Sequence, residues 1–336
     1  MSVGDGLEPL AIAAGGLEAE VLPYGAHLVR LGVPGADGVS ASVVLSLPVV
    51  ADYTDRDRNP YVGSVVGRWA NRIGGARFPL DYHPVEVVAN EGPNQLHGGP
   101  EGFDRRIWQV RRHDRDRVVL ELVSPDGDQG FPGTVTAVAD YRLEPGGDDR
   151  PPVMELVLTA TADASTPVNM TTHTYWNLSG DPAASVDDHR LTVPAAWTVE
   201  VDEGLLPTGR LPEVAGTPLD LRHGPRLGDV LDGLAPAGLD RCFVLTHELG
   251  REAVGLRPAA RLVDPASGRA IEVATNQPAV HVYVPSGPVA GRPPRGGVCL
   301  ETGALPDALN RPGFKPKVLR PGGEYRHVHR VTFPRP

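Results

Sequence analysis

An all-β chain is what this sequence predicts, and three observations carry that expectation: residue usage, alternating segments and turn chemistry. Val, Thr, Gly and Pro spread along the whole length outnumber the helix formers, which suits many short strands better than a helical bundle. Apolar and polar residues alternate over 18–22, 117–123, 134–143, 153–160, 279–284 and 325–333. That period of two is the signature of a half-buried strand. Between such runs stand Pro125-Asp126-Gly127, Pro145-Gly146-Gly147 and Pro321-Gly322-Gly323, whose residues supply tight turns.

Taken in order, the elements form one continuous series. The polar stretch 146–152 fits a hairpin loop between two long strands rather than a domain linker. Residues 225–234 are the best helix candidate, short and amphipathic at most. With 336 residues, 40% of them hydrophobic, the chain supplies a sizeable core. A single domain spanning 1–336 is expected, with no internal repeat. Its 40 Gly and 35 Pro make up about 22% of the residues, below the roughly 25–30% at which a low-complexity reading takes over.

A formal charge of −10 without a long Lys/Arg run excludes the electrostatic footprint of a nucleic-acid or anionic-membrane binder. The first residues carry Asp5 and Glu8 where a secretory signal would be basic, and no run reaches the roughly 20 apolar residues of a membrane helix. Cys242 and Cys299 are too few for a disulfide framework, so a reducing cytoplasm is the expected location.

Three segments carry chemistry. Asn94-Gln95-Leu96-His97-Gly98-Gly99 ends in two glycines, which let the chain turn sharply and a ligand approach, so His97 suits a cleft floor or, equally, a hairpin surface. If 170–178 is a strand, His173, Tyr175 and Asn177 share one face, as a functional surface or a satisfied core. Glu301 interrupts the apolar run Gly297 to Gly303, where an unpaired buried carboxylate costs several kcal/mol, so it faces a cleft or an ion-pair partner.

Asp240 precedes an apolar strand and fits a strand mouth or a turn. Asn71 and Arg72 place an amide beside a planar guanidinium, suited to a polyhydroxyl ligand or a carboxylate partner. There is no P-loop, dinucleotide fingerprint, HExxH or zinc-spaced cysteine pair, and Ser179 lacks a nucleophile elbow. Neither a metal nor a cofactor is expected. Each cysteine stands two residues from a carboxylate of interest, so both thiols are expected on the same strand faces as Asp240 and Glu301, as buried packing groups.

In this order, GRWANRI, GPNQLHGG followed by GFD, NMTTHTYWNLSG, GLDRCFVL, TNQPAVHVY and CLETGALPDALNRPGF resemble the aldose 1-epimerase family, also called galactose mutarotases. The likeness runs from about Gly25 to the last strand. It implies a large antiparallel β-sandwich, a supersandwich, with a sugar on its concave face and no cofactor. Carried over by residue, it makes Glu301 the general base, His173 the general acid and His97 the second histidine near the ring oxygen. Arg72 and Asp240 then hold sugar hydroxyls, and Asn71, Tyr175 and Gln277 complete the substrate-binding set.

The implied reaction interconverts the α and β anomers of a free aldose such as galactose or glucose by acid/base ring opening and reclosure. The implied partner is a small-molecule aldose, handled by a monomer or homodimer. Three departures from the common pattern bear on sugar preference: Arg241 follows Asp240 where His is frequent, His281 stands where Gln is frequent, and Thr-Gly-Ala-Leu follows Glu301. No clustered basic motif suggests a phosphorylated hexose, although arginines such as Arg68 and Arg241 could hold one. Two other classes compete. A non-catalytic sugar-binding sandwich would use Trp69, Trp176 or Tyr175 as a stacking platform, and a glycoside hydrolase or lyase would pair Asp240 with Glu301.

Overall fold

The computed structural model describes residues 6–236, 238–246, 249–250 and 255–334. Its frame is three antiparallel sheets of eight, five and four strands, as the alternating segments predict. The eight-stranded sheet runs, in spatial order, Gln109–His113, Arg117–Ser124, Val135–Glu144, Val153–Ala162, Tyr325–Thr332, Ala270–Thr275, Arg257–Val263 and Arg190–Thr192. The five-stranded sheet runs Tyr175–Trp176, Val298–Gly303, Ala279–Val284, Leu239–Val244 and Trp197–Thr198. Leu10–Ala14, Leu17–Leu22, His27–Pro34 and Ser40–Ser42 form the third.

Each segment of period two is a strand to within a residue or two, and the 146–152 loop joins two strands paired from Val135↔Ala162 to Glu144↔Val153. The helix candidate is the α-helix Leu227–Gly233, with Leu227, Val230 and Leu231 buried. Among the described residues, no helix is long and apolar enough to cross a membrane.

Alternation explains how the sheets meet. In Val135–Glu144 the buried residues Val135, Ala137, Ala139, Tyr141 and Leu143 are every second one, so one face packs inward. They join one core with Leu156, Leu158 and Val331 of the same sheet and with Phe243, Val280, Val282, Val298, Leu300 and Trp176 of the five-stranded sheet. Full burial of each Val, Leu or Phe among them contributes about 1.5–3 kcal/mol. The five-stranded sheet therefore spends its aliphatic face on the sandwich, leaving Asp240, His281, Tyr283 and Glu301 on the other.

One expectation is corrected. Residues 170–178 are not a single strand: Thr171–Thr172 pairs with Val65–Val66, and Tyr175–Trp176 pairs with the Val298–Gly303 strand. His173 lies at the crossing between the two sheets, its N–H donating to Ser64 O at 2.8 Å and its carbonyl accepting from Gly63 N–H at 3.0 Å. The crossing turns Asn177 away, its amide donating to Ala184 O and Gly296 O at 2.9 Å each.

Behind Glu301, a buried polar network anchors the strand. Thr302 Oγ1 lies 2.7 Å from His327 Nε2 and 3.0 Å from His329 Nδ1, while His327 Nδ1 lies 2.9 Å from Met170 O. A carbonyl only accepts, so His327 donates from Nδ1 and accepts Thr302 O–H at Nε2; Thr302 in turn accepts from His329. This pattern is the one for neutral rings, the form that burial favours. Burial holds His327 down to about 4 and His329 to about 3, and burial likewise holds His27 to about 4.

These folded-state values lie below the roughly 6.5 of an unfolded histidine, so the unfolded chain takes up protons first as pH falls. Stability is expected to drop from about pH 6.5 toward pH 4, each ring contributing a slope of up to about 1.4 kcal/mol per pH unit. Urea denaturation across that range checks this, and His329→Gln should flatten the slope by about one ring's share.

Candidate active site

The free face of the five-stranded sheet is ordered in rows. Antiparallel register sets Cys242 opposite His281 and His281 opposite Glu301, while Asp240, Tyr283, Cys299 and Tyr175 stand in the adjoining row. Directly opposed residues point to the same side of a sheet, so both rows face one cleft. From across it come Tyr61, Asn71, Arg72, Leu96 and His97, enclosing about 200 Å³. That is below the roughly 300–1,000 Å³ of pockets for drug-sized ligands, so the occupant is a small molecule.

The segment carrying His97 owes its shape to its glycines. A Cβ on Gly98, at φ 90°, would stand 2.0 Å from Gly67 O. Asn71 at φ 63° and His97 at φ 52° are themselves left-handed, and two hydrogen bonds hold them: Asn71 N–H to His97 Nδ1 at 3.2 Å and His97 N–H to Asn71 O at 3.1 Å. Because Nδ1 accepts, neutral His97 carries its proton on Nε2. Burial, aided by the charges of His173 and Arg72, holds this ring well below its ordinary pKa. It is a fixed neutral donor.

His173 Nε2 stands 3.8 Å from Glu301 Oε1, and Cys299 Sγ lies 3.5 Å from His173 Nδ1. The thiol thus holds one ring nitrogen while the other faces the carboxylate. Tyr61 stacks on His173 at 5.7 Å between centroids and tilts against His97 at 4.6 Å, and Tyr175 lies 5.0 Å from His173. Burial pushes the phenols of Tyr61 and Tyr283 up to about 12, so both remain O–H donors.

Two ion pairs flank this centre. Arg72 donates from Nε and Nη2 to the two oxygens of Glu91 at 2.7 and 2.8 Å, which leaves Nη1 outside the pair. Asp240 Oδ1 accepts from His281 Nε2 at 2.6 Å. Burial pushes Asp240 up and His281 down, but their mutual hydrogen bond and charge more than offset it, leaving the carboxyl depressed and the imidazole raised.

Of the sequence-predicted residues, Glu301, His173, His97, Arg72, Asp240, Asn71 and Tyr175 line this one cleft. Gln277 does not, and the expectation for it is corrected: its amide donates to Asn276 Oδ1 and Arg326 O at 3.0 and 3.3 Å. Arg68 is also no ligand candidate, since its guanidinium is buried on the carbonyls of Ser124, Pro125, Pro132 and Gly133. Trp69 and Trp176, each 1% exposed, belong to the core and offer no stacking platform. Both cysteines are buried as expected.

Sequence reasoning passed over Tyr61, Glu91 and Tyr283. Tyr283 was discoverable, two residues from His281 in an alternating strand; Glu91 and Tyr61 lie in loops without a period.

Among the described residues, His97, His173 and Glu301 present ligand-type atoms within 4.8 Å of one another, the spacing of a two-histidine, one-carboxylate metal set. The proton fixed on His97 Nε2 is wrong for coordination, because metal-bound histidines turn a lone pair to the ion and an N–H outward. The trio suits proton handling instead.

An antiparallel β-sandwich whose cleft gathers two histidines and a glutamate between two ion pairs has the groups that acid/base chemistry on a small polar molecule needs. The family model for aldose 1-epimerase matches residues 10–332, and the chain belongs to that family. It is 38% identical over 339 residues to galactose mutarotase of Bos taurus, covering 97% of this chain and 94% of that protein. It is 34% identical over 333 residues to aldose 1-epimerase of Escherichia coli K12, covering 95% and 92%.

Among solved structures, a galactose 1-epimerase from Lactobacillus acidophilus superposes with a TM-score of 0.80 at 28% identity, over 96% of this chain and 92% of that one. A C. elegans aldose epimerase homologue gives 0.86 at 28% identity, over 98% and 99%. The protein is thus an isomerase that interconverts the anomers of free aldoses by opening and reclosing the ring.

Activity is expected to be unchanged by prolonged dialysis against EDTA, and calorimetric titration with Zn²⁺ should show no binding at the trio. Binding with one proton released per ion would contradict the His97 tautomer.

Proposed function

We propose that Glu301 is the general base and His173 the general acid of anomer exchange on a neutral hexose of the galactose or glucose type. The observation that carries this reading is the 3.8 Å approach of His173 Nε2 to Glu301 Oε1. The hydroxyl oxygen and ring oxygen of a hemiacetal share one carbon, so the two proton carriers must lie within a few ångströms of each other. Glu301 removes the proton of the C1 hydroxyl as His173 delivers one to the ring oxygen, and the C1–O5 bond breaks to give the aldehyde and a C5 hydroxyl. After rotation about C1–C2, His173 takes back the C5 hydroxyl proton, O5 attacks the other face of C1, and Glu301 returns its proton to O1.

The remaining roles follow from donor and acceptor chemistry. His97, a neutral Nε2–H donor, sits beside the ring oxygen. Arg72 through Nη1 donates to sugar hydroxyls, Asp240 accepts from them, and Asn71 and Tyr175 complete the cleft wall. The relatives named galactose mutarotase and aldose 1-epimerase support galactose or glucose as the sugar. Buried free thiols support a reducing cytoplasm as the working compartment, with one domain acting as a monomer or homodimer.

Glu301→Gln and His173→Gln are each expected to lower kcat by about 10²–10⁴-fold while retaining the wild-type melting temperature within a few degrees. Polarimetry on freshly dissolved α-D-galactose measures it, and a variant losing less than tenfold would remove that residue from the assignment. Charge sets a second expectation. The cleft's arginine is already neutralised by Glu91, and Asp240 by His281, so Glu301 opposes an anionic sugar. Glucose 6-phosphate and galacturonate should show kcat/KM at least tenfold below the parent hexoses, more so at low salt.

A further inference from the structure

His281 has no part in the proton transfers, yet it stands in the middle of the cleft floor. It lies in register between Cys242 and Glu301, and its Nε2 is 2.6 Å from Asp240 Oδ1. The titratable and charged groups that act on this pair are Cys242 and, from the strand's other side, Arg241 of Leu239–Val244, Tyr283 from its own strand, Cys299 and Glu301 from Val298–Gly303, Arg72 from Arg72–Ile73, and His97 from across the cleft. Arg241 is spent on a backbone oxygen, Nη1 to Asp240 O at 2.7 Å, and Arg72 on Glu91. Among the described residues, His281 is the side chain that donates to the Asp240 carboxylate. The site thus gives Asp240 one oxygen that is taken and one that is free.

We propose that His281 is a positioning residue that pins Oδ1 of Asp240, so that Oδ2 stays ionised and turned to the sugar hydroxyls. His281 thereby sets substrate affinity, while Glu301 and His173 set the rate of ring opening. Without it Asp240 becomes a buried carboxylate with no donor, which must rotate or take up a proton, and either change removes an acceptor from the sugar. Cys242 completes the arrangement: its thiol stands directly opposite His281 in register and helps hold the imidazole in its charged form, a soft neighbour for the second N–H. The inference rests on the hydroxyl-holding role proposed for Asp240, and the two are separable.

The test is steady-state kinetics on Asp240→Asn, His281→Leu and His281→Gln between about pH 5.5 and pH 8, with α-D-galactose as substrate. Asp240→Asn reads the Asp240 role by itself, and an unchanged KM there would overturn both that role and the proposal built on it, whereas a raised KM there with an unchanged KM in His281→Leu overturns the proposal alone. With KM raised in Asp240→Asn, His281→Leu is expected to raise KM roughly 10- to 100-fold while kcat stays within a few-fold. The ratio of its KM to the wild-type value should grow as pH falls, because the carboxyl that burial now pushes up takes on a proton. His281→Gln, which keeps a donor on Oδ1, is expected to recover most of the affinity.

A ratio independent of pH, or a loss confined to kcat, overturns the proposal. Should His281→Leu fail to fold, the double-mutant cycle of Asp240→Asn with His281→Ala, which also removes the donor, decides: non-additive effects on KM uphold it and additive ones overturn it.

Discussion

The two-residue period of three neighbouring strands is the constraint on which the site depends. In Leu239–Val244, Ala279–Val284 and Val298–Gly303, alternate residues enter the sandwich core while those between them line the cleft. A slip of one residue would drive His281 or Glu301 into the core and put Val280, Val282 or Leu300 before the substrate. Burying a carboxylate or an imidazolium without a partner costs several kcal/mol, so the slip is heavily disfavoured. The same hydrophobic pattern that stabilises the sandwich therefore aligns the chemistry. The bonds from Thr302 to His327 and His329 clamp the reverse side of the strand bearing Glu301, adding a specific polar lock to a non-specific aliphatic one.

Backbone geometry supplies what sheet register cannot. The second histidine arrives on irregular chain, where Asn71 and His97 adopt left-handed conformations that cost of order 1 kcal/mol each. Their two mutual hydrogen bonds offset that cost and fix the ring's tautomer as well. Gly98 is required for the same reason: its neighbour is the Gly67 carbonyl, and no side chain fits between them. Strain, tautomer and glycine usage thus have one explanation, the need to bring an N–H donor to a fixed point opposite the sheet.

Much of this was legible in the chain. Strands such as Val135–Glu144 and Ala279–Val284 announce themselves because one face is wet or cleft-facing and the other dry, and the pair of glycines after His97 marks its turn. The failures share one physical cause. Residues 170–178 read as one strand because their alternation is real, but the chain crosses between two sheets at His173, and a crossing is decided by partners more than a hundred residues away in sequence. Asn177 leaves the site by that route. Gln277 fails similarly, since its amide is claimed by the Arg326 carbonyl of a distant strand. Glu91, which neutralises Arg72, sits in a loop with no periodic pattern to flag it, so the charge balance of the cleft could not be read before the fold was known.

That balance separates two kinds of acid–base contact within one small cleft. Asp240 and His281, at 2.6 Å, form a bond so tight that each favours the charged form of the other, which suits the acceptor role proposed for Asp240. His173 and Glu301, at 3.8 Å, are too far apart for a hydrogen bond and near enough to serve oxygens on one carbon. Anomer exchange runs through the same ring opening in both directions, so under the proposed roles each group must give and take a proton in turn. A 2.6 Å pair in their place would lock both protons and stop the cycle. Under those roles the difference of about an ångström between these contacts is what would divide binding from turnover, and it is imposed by strand register on one side and by the crossing at His173 on the other.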